Sequence, residues 1–173
     1  MRKDTRTISV RVSTDIANLL DDESTSSGTS VNTLITQVLK KHTQWGRFER
    51  ELDVLHISKQ SAKELFSSMS ADDLKTLADS SCKNMFMDMV LFIKGQFNKE
   101  NMLEVISIFL SVNNTSFRHI KSSTAEKFII KHQLGKNYSL YLSTTISLLF
   151  SEIGVDVRLT DINHEDLILE IDL

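Results

Sequence analysis

The sequence predicts an α+β chain in which a short strand and two helices precede a helical segment and a β-β-α-β-β unit. Three observations carry this. Apolar and polar residues alternate with period two at the N-terminus and in the last third, which marks short strands. Between these stretches apolar residues recur three and four apart, the spacing of helices with one buried face. The 173 residues include 5 glycines and no proline, so helix interiors run uninterrupted and turns fall to Asn, Asp, Ser and Gly. At 40% hydrophobic and 25% charged residues, the chain is expected to fold around a core.

The first element is RTISVRVS, residues 6–13. Ile8, Val10 and Val12 alternate with Thr7, Ser9 and Arg11, so one strand face is apolar and the other carries only hydrogen-bonding groups. STDIANLLDDESTSSG follows. Ser13 or Thr14 can cap a helix, Asp15 suits its positive end, and Ile16, Leu19 and Leu20 form an apolar stripe. Gly28 supplies the left-handed residue that commonly ends a helix. In TSVNTLITQVLKKHTQW, Thr29 or Ser30 caps a second helix striped by Val31, Leu34, Ile35, Val38 and Leu39. Lys40, Lys41 and His42 lie at its negative end.

A strand-helix-helix unit of about 40 residues is near the lower limit for independent folding. Its lone strand also leaves backbone donors and acceptors unpaired. Two copies relieve both defects: the strands join as an antiparallel ribbon and four helices enclose one core. The ribbon then presents Thr7, Ser9 and Arg11 twice, and a two-stranded ribbon fits the major groove of B-DNA.

RTISVRVS, a first helix and then GTSVNTLI resemble the ribbon-helix-helix family of dimeric transcription factors, over residues 2 to about 47. The resemblance implies that Thr7, Ser9 and Arg11 read bases, and that Ser30, Val31 and Asn32 hold a DNA phosphate at the start of the second helix. Free N–H groups and the positive dipole end suit that position to an anion. The sequence departs from the family at Glu23, Ser24 and Ser27, where apolar residues are usual, which implies a further dimer contact elsewhere.

The formal net charge is −3, unevenly spread. Residues 1–12 carry Arg2, Lys3, Arg6 and Arg11 against Asp4, a balance of +3, whereas residues 51–173 carry 12 basic and 17 acidic side chains, a balance of −5. Screening confines charge effects to roughly 8 Å at physiological salt, so a basic tip acts locally. Arg2, Lys3 and Arg6 are expected on phosphates.

The expected organisation is a DNA-binding domain at 1–47, a charged connector at 48–56, and an oligomerisation or sensor domain at 57–173. In the last, helices are expected over 57–69, over 70–95 from Ser70 to Gly95, and over 99–112. The long one carries Leu74, Leu77, Ala78, Cys82, Met85, Met89 and Ile93 on one face. Strands SFRHIK and EKFIIKHQL come next. A helix with Tyr138, Tyr141, Leu142, Thr145 and Leu149 on one face follows. VDVRLT and DLILEI then form a hairpin, with Val155, Val157, Leu159, Leu167, Leu169 and Ile171 inward.

His119 and His132 fall on neighbouring strands and could share a metal. Two histidines with no cysteine or matched carboxylate spacing are expected instead to be hydrogen-bonded or at the surface. Met69, Met85, Met87, Met89 and Met102 read as core filler rather than as a pocket lining. Cys82, the single cysteine, reads as a buried, inert thiol and rules out an internal disulfide. No phosphate-loop, dinucleotide, zinc or nucleophile motif occurs, so neither an enzyme nor a cofactor is expected. The N-terminal residues lack a signal-peptide core, and MVLFI at 89–93 is far below the roughly 20 residues needed to span a bilayer. The expected location is the cytoplasm. The expected function is a sequence-specific DNA-binding transcriptional regulator, a homodimer or a tetramer. Two other readings compete. An antitoxin tail is usually short and disordered until bound, unlike the long patterned one here. An interaction module would use the head only to dimerise.

Overall fold

Serine and asparagine caps set where most of the helices begin. Each cap's side-chain oxygen accepts a hydrogen bond from the backbone N–H three residues on, one of the donors a helix start leaves free. Ser13 opens α1 (Thr14–Ser26) and Ser30 opens α2 (Val31–Lys41). Ser58 opens α3 (Lys59–Ser68). Ser70 opens α4 (Ala71–Ser81) in a capping box completed by Asp73. A π-turn over Cys82–Phe86 leads into α5 (Met87–Lys94), closed by the left-handed Gly95. Asn98 opens α6 (Lys99–Val112). Strands β1 (Ser116–Lys121) and β2 (Ala125–Lys131), helix α7 (Lys136–Ser151), and strands β3 (Val157–Ile162) and β4 (Asp166–Asp172) complete the chain. This computed structural model describes residues 5–49, 51–52, 54–163 and 165–172. The architecture is mixed helix and sheet, with the expected β-β-α-β-β order at its end.

The chain divides into two compact units, Met1–Gln44 and Trp45–Leu173. In the first, α1 and α2 pack on each other across the left-handed Gly28. Ser24, one of the residues departing from the apolar pattern, is buried and bonds back to Asp21 O at 2.9 Å, so its hydroxyl is satisfied within its own helix. The expected strand is not formed. Residues 5–13 carry no secondary structure and are exposed throughout, with Ile8 at 76% and Val10 at 70%. A strand exists only as part of a ladder, and no described segment of this chain pairs with it. An N-terminal ribbon is therefore absent from the single chain.

The second unit begins at Trp45, three residues before the expected connector and inside the expected DNA-binding domain. Trp45, in a π-turn over His42–Gly46, belongs to its hydrophobic core, and Leu52 and Val54 pack against that core. The sheet is antiparallel in the order β1-β2-β4-β3. Register places Phe128 opposite Leu169, and Ile130 opposite Leu167. These residues and Ile171 are buried on one face, which is the amphipathic pattern of a half-covered antiparallel sheet. The other face carries the Lys127–Glu170 and Arg158–Asp172 ion pairs. Leu159 lies opposite Leu169 yet stays open, because β3 is an edge strand interrupted by a bulge between Leu159 and Asp161.

Helix α7 packs against α3 and α4 as well as β3 and β4, and buries Tyr138, Tyr141, Leu142, Thr145 and Leu149 as the periodicity predicts. The continuous helix expected over 70–95 is interrupted. Its π-turn adds a residue to one turn, so burial passes from Leu74, Ala78 and Cys82 to Phe86, Met89 and Val90, while Leu91 faces out. In α3, Ala62 and Phe66 pack inward but Leu65 is exposed, and Ile57, expected in this helix, lies before it and is exposed. No helix among the described residues is long and apolar enough to cross a membrane.

Phe128 sits fully buried at the centre of the sheet. Phe128→Ala should cost about 3–5 kcal/mol of stability, measured as a lowered denaturant midpoint for the second unit.

Candidate nucleic-acid interface

Arg6, Thr7, Ser9 and Arg11 lie together on the exposed segment that precedes α1. Arg2 and Lys3, expected on phosphates, lie outside the described residues. Ser30 has a defined local role: its Oγ accepts from Thr33 N at 3.1 Å and its carbonyl accepts from Leu34 N at 2.9 Å. Val31 and Asn32 form the first turn of α2, so the three residues expected to hold a phosphate do stand at a helix N-terminus.

The first unit leaves most of its apolar side chains outside. Leu34 is its one large hydrophobic among those described as buried, at 8% exposure. Ile8, Val10, Val12, Ile16, Leu19, Val38 and Leu39 are all exposed, Leu19 at 68%. These are the strand and helix positions that the sequence pattern assigns to an inner face.

The two candidate metal ligands are each engaged elsewhere. His119 Nε2 lies 2.5 Å from Glu126 Oε2, and its ring stacks on Phe128 at 4.2 Å. His132 lies beyond the end of β2 and is fully buried. Its Nδ1 accepts from Leu134 N–H at 3.0 Å, which places the proton of the neutral ring on Nε2. Nε2–H then donates to Ser139 Oγ at 2.7 Å, and Ser139 donates to the Asn163 carbonyl at 2.9 Å. The direction of this relay makes His132 a donor to Ser139 rather than a base toward it. The chain of bonds ties the end of β2, the start of α7 and the β3–β4 turn together. Among the described residues, no three His, Cys, Asp or Glu side chains are grouped to hold a metal ion.

Cys82 is buried, and burial followed by the nearby Glu152 and Asp79 carboxylates pushes its thiol above the usual range. Met102 is core filler as expected. Met89 is likewise buried in the core and Met85 packs against it, and the two also wall a cavity shared with Trp45, His56, Phe109 and Asn113. Sequence reasoning missed this group. Its one signal was the isolated tryptophan immediately after the basic end of α2. No family model matches the chain, and no characterised protein matches it in sequence.

Burial lowers the His132 pKa from the ordinary 6.5 to about 4. The unfolded chain therefore binds the extra proton first as pH falls, so the stabilisation is complete above pH 6.5 and is lost on descent toward pH 4. The stability advantage of the wild type over His132→Gln should shrink by about 3 kcal/mol across that window, measured by urea unfolding at stepped pH. A constant gap would refute the buried neutral imidazole.

Proposed function

We propose that this protein is a dimeric, sequence-specific DNA-binding transcriptional regulator of the ribbon-helix-helix kind. The observation that carries the reading is the two-sided segment 6–13, exposed on both sides in the single chain. Its apolar side, with the open stripes of α1 and α2, leaves a surface that a second copy can cover. Its polar side offers only hydroxyls and a guanidinium. Paired antiparallel, two such segments complete each other's backbone hydrogen bonds and enter a major groove as a ribbon.

In that groove Arg11 pairs with guanine edges through two parallel hydrogen bonds, and Thr7 and Ser9 read the neighbouring bases. Arg6 contacts phosphate, and the α2 N-terminus at Ser30, Val31 and Asn32 anchors a second phosphate. The two-fold symmetry of the dimer calls for a palindromic or repeated operator. The second unit, with its own core, holds the dimer together or senses an effector. An effector acts only by binding the DNA-competent and incompetent states unequally.

Binding to genomic promoter fragments at two salt concentrations tests this reading. Selective binding that weakens steeply with salt is expected. Arg11→Ala should lose about 1–3 kcal/mol on the selected operator and relax its specificity. Val10→Glu would place a charge inside the shared core and should yield monomers by sedimentation, with DNA binding lost. A dimer that ignores DNA at both salts would overturn the proposal.

A further inference from the structure

A cavity of 230 Å³ lies within the second unit, and the two π-turns of the chain each contribute to its wall. Trp45 comes from the first and Met85 from the second, and Met89 and Phe109 are among the further apolar residues of the lining. π-turns are rare in helices and recur where a side chain must be re-aimed toward a functional site. Here both serve the same space. Trp45 is 2% exposed, and its indole Nε1–H has no hydrogen-bond partner among the described residues. An unmade buried hydrogen bond is costly, so this donor marks a position that an acceptor would stabilise.

Water is a poor occupant, since a buried water needs two to four polar partners. At the rim Asn113 Nδ2 donates to Phe109 O at 2.8 Å, and His56 Nε2 lies 3.5 Å from Glu49 Oε1. An apolar cavity of about 150 Å³ accommodates benzene, so 230 Å³ has room for a ring with a short substituent. The unbranched methionines can shift to let an acceptor reach the indole edge.

We propose that the cavity walled by Trp45, Met85, Met89 and Phe109 binds a compact, uncharged, largely apolar molecule whose single hydrogen-bond acceptor takes the Trp45 indole N–H. The site goes beyond the DNA-binding reading and stands whether or not the first unit binds DNA.

Trp45 is the sole tryptophan, so the full-length protein labelled with nitrogen-15 gives one indole N–H resonance to follow. The probes are acetophenone, a ring with one carbonyl, and α-methylstyrene, which has the same shape without the acceptor. Acetophenone should move the resonance saturably and bind about tenfold more tightly than α-methylstyrene. Met85→Phe, which fills the space, should abolish the effect. No saturable movement with acetophenone up to its solubility limit would overturn the assignment. So would equal affinity for the two probes. A long-lived water detected at the indole N–H of the free protein would also overturn it, making the cavity a hydration site.

Discussion

Helix α7 has to bury most of its circumference, and the second unit is arranged around that requirement. Tyr138, Tyr141, Leu142, Ile146, Leu149 and Phe150 are all buried. One layer cannot cover so broad a surface, so helices α3 and α4 pack on it together with the sheet. The polar residues carried inside with it are satisfied locally: Thr145 bonds to Tyr141 O at 2.9 Å and Ser143 to Leu140 O at 3.0 Å. Ser139 reaches outward, through His132 and Asn163, and so fixes where the helix begins relative to two strands, as Asn137 does toward α3 by donating to Phe66 O at 2.8 Å. A buried neutral histidine serves well there, because it donates on one side and accepts on the other without carrying charge into the core.

The two units meet the demand for burial in opposite ways. The second encloses its apolar side chains within one chain. The first has two amphipathic helices and a two-sided segment, and too little chain to cover them. Its apolar side chains stay open, and so does the backbone of residues 5–13. In the proposed function that deficit is the source of the activity. Under that proposal the face a second copy would cover and the face that would read DNA are the two sides of one segment, so assembly and recognition would be coupled.

The π-turns at His42–Gly46 and Cys82–Phe86 show how a small local irregularity redirects packing. Each adds a residue to one turn, which swings the following side chains round the helix axis. Past the second, Phe86, Met89 and Val90 are buried, and Met85 shares a cavity wall with Trp45. The expected face of the long helix is kept on the core, with Phe86 and Val90 joining it, and the two turns supply Trp45 and Met85 to a cavity that the periodicity did not foretell.

Sequence by itself determined the features that depend on a few neighbouring residues. The caps at Ser13, Ser30 and Ser70, the stops at Gly28 and Gly95, the inner face of α7 and the β-β-α-β-β order could be read because their hydrogen bonds and periodicities close within about four residues or repeat regularly. The candidate ribbon face of Thr7, Ser9 and Arg11 was legible for the same reason. Only the tertiary structure decided the strand order β1-β2-β4-β3, the partners of His119 and His132, and the gathering of Trp45 with Met85 and Met89. Those depend on groups far apart along the chain, which no local spacing encodes. The unformed strand at 6–13 belongs with them, because a strand is completed by a neighbour, and alternation can specify its two faces but cannot supply the chain that pairs with it.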